Sequence, residues 1–216
     1  MILSRGRRYL FIHAPKTGGT SMALALEARA MKDDIMLGDT PKAIKRRRQL
    51  ENVEAAGRLW KHATLADLDG LVRAGELDDL FIFTMVRNPW DRMVSYYHWL
   101  RGQSFAHPSV KLALELEFSA FVAAPVIAQS FARSPATSYV TDARGQLRAD
   151  LFIRLEHLAC DIAPLEAHLG FALDLPHVNR SERAADYHAA YDAESRERVA
   201  QMCAADIARF GYRFEG

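Results

Sequence analysis

The stretch Tyr9-Leu10-Phe11-Ile12-His13-Ala14-Pro15-Lys16-Thr17-Gly18-Gly19-Thr20-Ser21 predicts a strand, a turn and the start of a helix. Tyr9–Ile12 is short, apolar and aromatic, which is typical of a buried strand. Thr20 or Ser21 is expected to cap the following helix. A second apolar run, Leu80–Val86, has strand length and no polar alternation, as expected of a strand covered on both faces.

Further elements alternate along the chain. Leu151–Leu155 is a candidate third strand, and the predicted helical segments are Ala43–Ala56, Leu65–Ala74, the segment opened by Asn88-Pro89, parts of 103–137 broken by Pro108, Pro125 and Pro135, Glu156–Leu169 ended by Gly170, and Asp192–Phe210 ended by Gly211. Alternating strands and helices favour an α/β, P-loop-like three-layer fold, with a central, mainly parallel sheet flanked by helices. The 216 residues are predicted to form a single domain, 1–216.

The composition excludes several classes of protein. Apolar residues make up 50% and charged residues 25% of the chain, which is ordinary for a globular protein. Lys and Arg number 28 against 27 Asp and Glu, and this balance argues against a general nucleic-acid binder. No apolar run approaches the ~20 residues of a membrane span. The two cysteines, Cys160 and Cys203, cannot form a zinc site or a disulfide framework, which indicates an intracellular protein.

The positive charge is concentrated near the N-terminus. Residues 1–62 hold 13 Lys and Arg against 6 Asp and Glu, whereas the remaining residues hold 15 against 21. This asymmetry indicates a local anionic ligand. The densest run, Lys42–Arg48, has two interpretations: contact with an anionic molecule, or one solvated face of a helix.

Lys16–Ser21 has the composition of a phosphate-binding loop. Gly18 and Gly19 let the backbone approach an anion closely, and the helix N-terminus supplies N–H groups and the positive end of the helix dipole. Lys16 adds a charge, and Thr17, Thr20 and Ser21 add hydroxyl groups. The motif differs from GxxxxGK[ST] because its lysine precedes the glycines. The alternative interpretation is a tight turn with a capped helix.

A second group of residues follows the second strand. Arg87 stands at the carboxyl end of Leu80–Val86, the edge where open α/β sheets bind ligands, and a guanidinium can hold a phosphate by two hydrogen bonds. Ser95 is spaced so that its hydroxyl can reach the same anion. In the alternative interpretation Arg87 pairs with Asp91 or caps a helix, and Ser95 is only a small residue.

FIHAPKTGGTS (11–21) and FTMVRNPWDRMVSYYH (83–98) together resemble the two cofactor-binding signatures of the sulfotransferases. The pattern is most similar to family 2, the group that includes the carbohydrate O-sulfotransferases. The resemblance extends through 154–158, 175–181, 206–207 and 210–214. Segments 32–60 and 103–137 match no known pattern and are expected to vary with the acceptor.

The resemblance implies in-line transfer of a sulfonate group from 3'-phosphoadenosine 5'-phosphosulfate (PAPS) to an acceptor. The acceptor group is a hydroxyl, for example that of a carbohydrate, or an amine. The resemblance assigns the 5'-phosphosulfate to Lys16–Ser21 and the 3'-phosphate to Arg87 and Ser95, and it places Arg180 and Ser181 in a loop near the nucleotide. Lys16 also has a catalytic part, because it can meet the charge that builds on the leaving phosphate. No metal is implied.

His62 resembles the catalytic histidine of the family in its spacing before the second signature. Histidine is the usual general base near neutral pH. The alternative is a half-buried surface histidine. His13 is expected to pack or to orient the loop, and His107 could touch the acceptor. The other histidines are interpreted as structural or as part of a helix surface or core: His98, His157, His168, His177 and His188.

Two other functions remain open on the sequence. One is a P-loop kinase or nucleotide hydrolase, which the lysine-before-glycine order disfavours. The other is a non-catalytic nucleotide-binding module. The expected partner is a small-molecule or glycan acceptor, and Lys42–Arg48 hints that it is anionic. Relatives in animals carry a Golgi membrane anchor, so a chain without one is expected to be a cytoplasmic, bacterial-type enzyme or a trimmed lumenal protein.

Overall fold

The computed structural model describes residues 1–176 and 186–215. The chain divides into two compact units. The first contains Met1–Val86 and the segment 136–176, and the second contains Arg87–Pro135 and the segment 186–215. The division at Val86 separates the second apolar strand from Arg87, which follows it directly.

The first unit contains a five-stranded sheet. Its strands are β1 (Ile2–Ser4), β2 (Tyr9–Ile12), β3 (Ile35–Met36), β4 (Phe81–Val86) and β5 (Leu151–Arg154), in the order β3-β1-β2-β4-β5. β2, β4 and β5 are parallel, with Phe11 opposite Phe83 and Phe83 opposite Leu151. β1 is antiparallel to both β2 and β3. The predicted α/β fold with parallel central strands is therefore confirmed, and a short antiparallel edge is added.

The two faces of the sheet bury alternate residues, as the pleat of a strand requires. One face buries Leu10, Ile12 and Ile82 against residues of the segment 63–80 and against Tyr139. The other face buries a larger apolar set against the first helix and the segment 162–169; its strand residues are Ile2, Tyr9, Phe11, Phe83, Met85 and Ile153. Both faces are covered, which explains why the central strands are continuously apolar.

The described residues form these helices in chain order: α1 (Gly19–Ala28), α2 (Pro41–Arg46), α3 (Ala74–Leu77), α4 (Pro89–Arg101), α5 (Pro108–Glu115), α6 (Phe118–Ala123), α7 (Pro125–Ala132), α8 (Ala136–Tyr139), α9 (Leu158–Asp161), α10 (Ala163–Leu169), α11 (Ala193–Met202) and α12 (Ala204–Phe210). Short 3₁₀ turns lie at Arg47–Leu50, Ala66–Leu68, Leu155–His157 and His188–Ala190.

Five predicted helical segments differ from the structure. Leu65–Ala74 contains only the 3₁₀ turn Ala66–Leu68 before α3 begins, and Glu156–Leu169 is a 3₁₀ turn followed by the separate helices α9 and α10.

The N-cap of α1 is Gly18, so Thr20 and Ser21 lie inside the first turn, and the prediction that one of them caps the helix is wrong. The predicted helix Ala43–Ala56 begins earlier, because Thr40 and Pro41 form its start, and it tightens into a 3₁₀ turn after Arg46.

The predicted helix Asp192–Phe210 is two helices, α11 and α12, with Cys203 between them. The predicted start at Asp192 and the predicted end before Gly211 are both confirmed. Asp192 accepts a hydrogen bond from the Ser195 N–H as N-cap, and Gly211 ends α12 in the left-handed conformation.

The second unit is helical around one apolar core. α4 begins at Pro89, as predicted, with Asn88 as its N-cap. The core of the second unit includes Trp90 from α4, Phe121 from α6 and Val199 from α11. Pro108 and Pro125 stand at helix starts rather than only at breaks, because proline suits the first turn.

Candidate functional site

The segment between β2 and α1 turns sharply at two residues with positive φ. Lys16 has φ 64° and Gly18 has φ 85°. The Thr17 hydroxyl donates to the carbonyl O of Ala14 (2.8 Å), so this buried side chain braces the loop from inside. Lys16, Thr20 and Ser21 are partly exposed. The structure thus brings the predicted loop residues together at the carboxyl end of a central strand.

Both glycines of the loop are required by their surroundings. A Cβ on Gly18 would lie 2.8 Å from Leu155 Cδ1, on a residue that is already left-handed. A Cβ on Gly19 would lie closer than 3.0 Å to three atoms of the His13 ring. Leu155 and His13 fill the space beside these two glycines, so only glycine fits at either position.

The N-terminus of α1 carries the features of an anion site. No side chain caps it, and its first turn holds no acidic residue. The first N–H groups of a helix have no partner inside the helix, and the positive end of the dipole lies there. A phosphate or sulfonate oxygen satisfies both.

His62 lies against the same loop. Its Nδ1–H donates to the carbonyl O of His13 (2.8 Å), 49 residues away in the chain. Because a carbonyl oxygen only accepts, this bond places the proton on Nδ1 and leaves the lone pair on Nε2. Burial lowers the pKa of His62 to about 4, so the ring is neutral near pH 7. The tautomer and the charge are those that a general base needs.

Aromatic and charged groups surround His62. The Trp60 ring contacts it edge to face with centroids 5.1 Å apart, and Trp60 is 42% exposed. The Arg58 guanidinium lies 5.3 Å from the centre of the Trp60 ring. Lys61 pairs with Asp39 (2.6 Å). The surface next to His62 therefore combines an exposed indole ring with positively charged side chains.

The basic run Lys42–Arg48 has a partly structural role. Lys42 donates to the carbonyl of Glu27, and Arg46 donates to the carbonyls of Met31 (2.6 Å) and Asp34 (3.2 Å). These two cations therefore hold α2 to the end of α1 and the following loop, while the other cations of the run are exposed.

Arg87 and Ser95 lie in the second unit. Nε and Nη2 of Arg87 both donate to Asp91 Oδ2, at 2.8 and 2.6 Å, so the ion pair considered from the sequence is present. Ser95 is buried on α4. Asn88 accepts from the Trp90 N–H and donates to the carbonyl of Arg213 (2.9 Å). The assignment of Arg87 and Ser95 to a phosphate stays a prediction.

Of the remaining predicted residues, some make hydrogen bonds within the protein and others lie outside the described residues. Arg180, Ser181 and His177 lie outside the described residues. His107 Nδ1 accepts from the Ser109 N–H (3.1 Å) and thereby caps α5. His168 Nε2 lies 3.0 Å from the carbonyls of Arg7 and Arg8.

Sequence analysis missed the contact between Gly19 and His13, and it missed the carbonyl of His13 as the partner of His62. The position of His13 beside the loop was the one available signal. These are long-range packing contacts, so no local pattern encodes them.

Within residues 1–176 and 186–215, no helix combines the length and apolarity that a membrane crossing needs. In the same ranges no three or more His, Cys, Asp or Glu side chains are grouped to hold a metal ion.

Comparison with known proteins gives little. No family model and no curated protein matches the chain. Among solved structures, the chain is similar to the mouse sulfotransferase SULT7A1 complexed with PAP, with 16% identity and a TM-score of 0.39 over 95% of this chain and 67% of that one. A likeness this low carries no argument about function, which depends on the site.

Proposed function

We propose that this protein transfers a sulfonate group from PAPS to a hydroxyl acceptor. The observation that carries the proposal is the arrangement at the end of β2: a helix start without a side-chain cap, and a neutral histidine whose proton is fixed on Nδ1. An anion site beside a general base is what transfer of an anionic group to a hydroxyl requires.

The residues take the following parts. His62 Nε2 accepts the proton of the acceptor hydroxyl as the acceptor oxygen bonds to sulfur and the bond from sulfur to the leaving phosphate oxygen breaks. Lys16 and the N-terminus of α1 stabilise the negative charge that develops on that leaving oxygen. In the proposal Arg87 and Ser95 hold the 3'-phosphate, and Arg180 and Ser181 contact the nucleotide.

The acceptor side is proposed to include Trp60 and Arg58. An exposed indole suits the apolar face of a sugar or aromatic ring, and the adjacent cation favours an acceptor with negative charge. A carbohydrate hydroxyl fits both. A screen in which neutral phenols are sulfated and anionic glycans are not would contradict this part alone.

The first test is a thermal-shift titration in EDTA with adenosine 3',5'-bisphosphate, against ATP and AMP. A ligand that binds only the folded state raises the melting temperature. We expect a saturable shift with the bisphosphate. No shift with it, and a shift with ATP once Mg²⁺ is restored, would favour a kinase or nucleotide hydrolase instead.

Two variants test the anion sites. We expect Lys16→Ala and Arg87→Ala to remove binding of the bisphosphate while the circular dichroism spectrum is unchanged. Lys32→Ala, which removes an exposed lysine, is the matched control and should bind normally. Normal binding by both Lys16→Ala and Arg87→Ala would remove the assignment.

A third variant tests the base. His62→Ala should bind the bisphosphate normally and lose turnover by about 10²–10⁴-fold, the usual contribution of general-base catalysis. Transfer of ³⁵S from labelled PAPS to a glycan or phenol panel measures it. Full activity of this variant would exclude His62 as the base.

A further inference from the structure

His13 is buried without a side-chain hydrogen bond. Its side chain follows β2 directly, and the residue is 6% exposed. Among residues 1–176 and 186–215, neither ring nitrogen of His13 has a hydrogen-bond partner. In the described part of the chain, the fully buried side-chain atoms without a partner are Ser4 Oγ, Arg7 Nε and Asp34 Oδ1. The unpaired nitrogens of His13 therefore keep contact with solvent and can be reached by a ligand.

Three neighbours fix the orientation of the His13 ring. Phe11 stacks on it at a centroid distance of 5.8 Å, and His62 contacts it edge to face at 4.7 Å. A Cβ on Gly19 would lie 2.1 Å from Cδ2 and 2.4 Å from Nε2, so the Cδ2–Nε2 side of the ring packs on Gly19. The Nε2 atom is therefore held at the first residue of α1.

The neutral imidazole of His13 can donate one hydrogen bond. Burial and the adjacent His62 hold the pKa of His13 well below its usual range, so the ring carries one proton at neutral pH. A neutral imidazole with its proton on Nε2 has a single N–H directed from that edge. Gly19 is the first residue of α1, so a donor packed on Gly19 is placed at a helix N-terminus, which favours an anion.

We propose that His13 is a second functional histidine, which donates a hydrogen bond from Nε2–H to the anionic group bound at the N-terminus of α1. The identity of that group as the 5'-phosphosulfate of PAPS rests on the proposed function. His13 is then a substrate-contacting residue, and its backbone carbonyl orients the base. One residue thereby links the anion site to His62.

Side-chain replacements separate a donor from a packing role. The amide nitrogen of Gln can replace Nε2, whereas Met fills similar volume and donates nothing. We expect His13→Met to weaken binding of adenosine 3',5'-bisphosphate by about tenfold or more, as measured by titration calorimetry, because a hydrogen bond to a charged group is lost. His13→Gln should stay within about threefold of the unaltered protein.

His168→Met is the matched control. His168 also stacks on a phenylalanine, Phe81, at 4.8 Å, and it lies in the same unit. Its hydrogen bonds go to the carbonyls of Arg7 and Arg8, so the variant should bind the bisphosphate normally even if its melting temperature falls.

Spectroscopy gives a readout that packing alone does not change. In ¹⁵N-histidine-labelled protein, the Nε2 signal of His13 should shift on addition of the bisphosphate and should be absent from His13→Gln. Unaltered affinity in His13→Met, or equal loss in His13→Met and His13→Gln, would overturn the proposal. If His13→Met does not fold, the labelled signal decides, and an unmoved signal overturns it.

The experiment distinguishes failure of the proposed sulfonate transfer from failure of the proposed role of His13. If the unaltered protein does not bind the bisphosphate, sulfonate transfer from PAPS is wrong, and the role of His13 is tested with inorganic pyrophosphate. Binding that is lost in His13→Met and kept in His13→Gln supports an anion-contacting His13. Absence of binding, or equal binding by all variants, overturns it.

Discussion

Gly19 is the position of the loop where one added methyl group has the largest expected effect. The Cβ of Gly19→Ala would displace the His13 ring, which is held by Phe11 and His62. We expect a loss of about 1–3 kcal/mol in the free energy of unfolding, as for other overpacked sites, measured by urea denaturation. Bisphosphate binding should weaken as well.

Gly75→Ala is the comparison. Gly75 lies within α3, and a Cβ there has nothing within 4 Å. Alanine in a helix is favoured over glycine by roughly 0.5–1 kcal/mol, so this variant should be as stable as the unaltered protein or more so. Equal stability of Gly19→Ala and Gly75→Ala would contradict the packing described at His13.

The environment of His62 determines the expected pH dependence of catalysis. A base acts when it is unprotonated, and burial lowers the pKa of His62 to about 4. We therefore expect kcat/KM to be maintained as the pH falls from 7 to 5 and to decline near pH 4. A decline centred near the ordinary histidine pKa of about 6.5 would show that His62 is solvated in the active protein.

Among the helices, α4 is stabilised at its start by its N-cap, Asn88. Its side chain accepts from the Trp90 N–H and donates to the carbonyl of Arg213, which ties the C-terminal segment to the helix. We expect Asn88→Ala to cost about 1–2 kcal/mol, since it removes a cap and leaves the carbonyl without this donor.

Asn88→Asp separates the acceptor role of Asn88 from its donor role, which includes a second bond from Nδ2 to the Tyr187 hydroxyl (3.3 Å). The aspartate keeps the acceptor for Trp90 N–H and loses the donor, so its cost should be smaller than that of alanine. Denaturation followed by near-ultraviolet circular dichroism measures both variants, because Trp90 is buried in this core. An aspartate variant less stable than the alanine variant would show that a buried carboxylate beside the Arg213 carbonyl costs more than the cap contributes.

For the protein as a whole, the buried histidines make stability depend on pH. The folded-state pKa of His62, about 4, lies below its ordinary value, and that of His13 is lowered as well. Between pH 6.5 and 4 the unfolded chain therefore binds more protons than the folded one at these sites, and stability falls as the pH falls. Urea midpoints at pH 7, 5.5 and 4.5 should decrease in that order.

His62→Gln should flatten this dependence, because glutamine does not titrate. His188 provides a contrast of opposite sign. Asp186 raises the pKa of His188, so its stabilising contribution is present at low pH and declines as the pH rises. A His62→Gln protein with the same dependence of its midpoints on pH as the unaltered protein would show that His62 does not contribute.

The sequence by itself determined the features that local patterns encode. Tyr9–Ile12 and Leu80–Val86 are continuous apolar runs and are central strands, and Asn88-Pro89 opens α4 as its cap and first residue. The pairing of Arg87 with Asp91 is also local, since residues four apart meet on a helix. Gly18 and Gly19 at the start of α1 were also visible as a motif.

Only the tertiary structure decided the features that need distant partners. β1 and β3 are too short to be recognised alone; β1 pairs with β2, and β3 pairs with β1. The proton of His62 is placed by a carbonyl 49 residues away, and the ring of His13 is placed by Gly19, Phe11 and His62. The orientation and charge of the His13 and His62 rings follow from burial and from contacts between distant residues. A short segment of sequence does not contain this information.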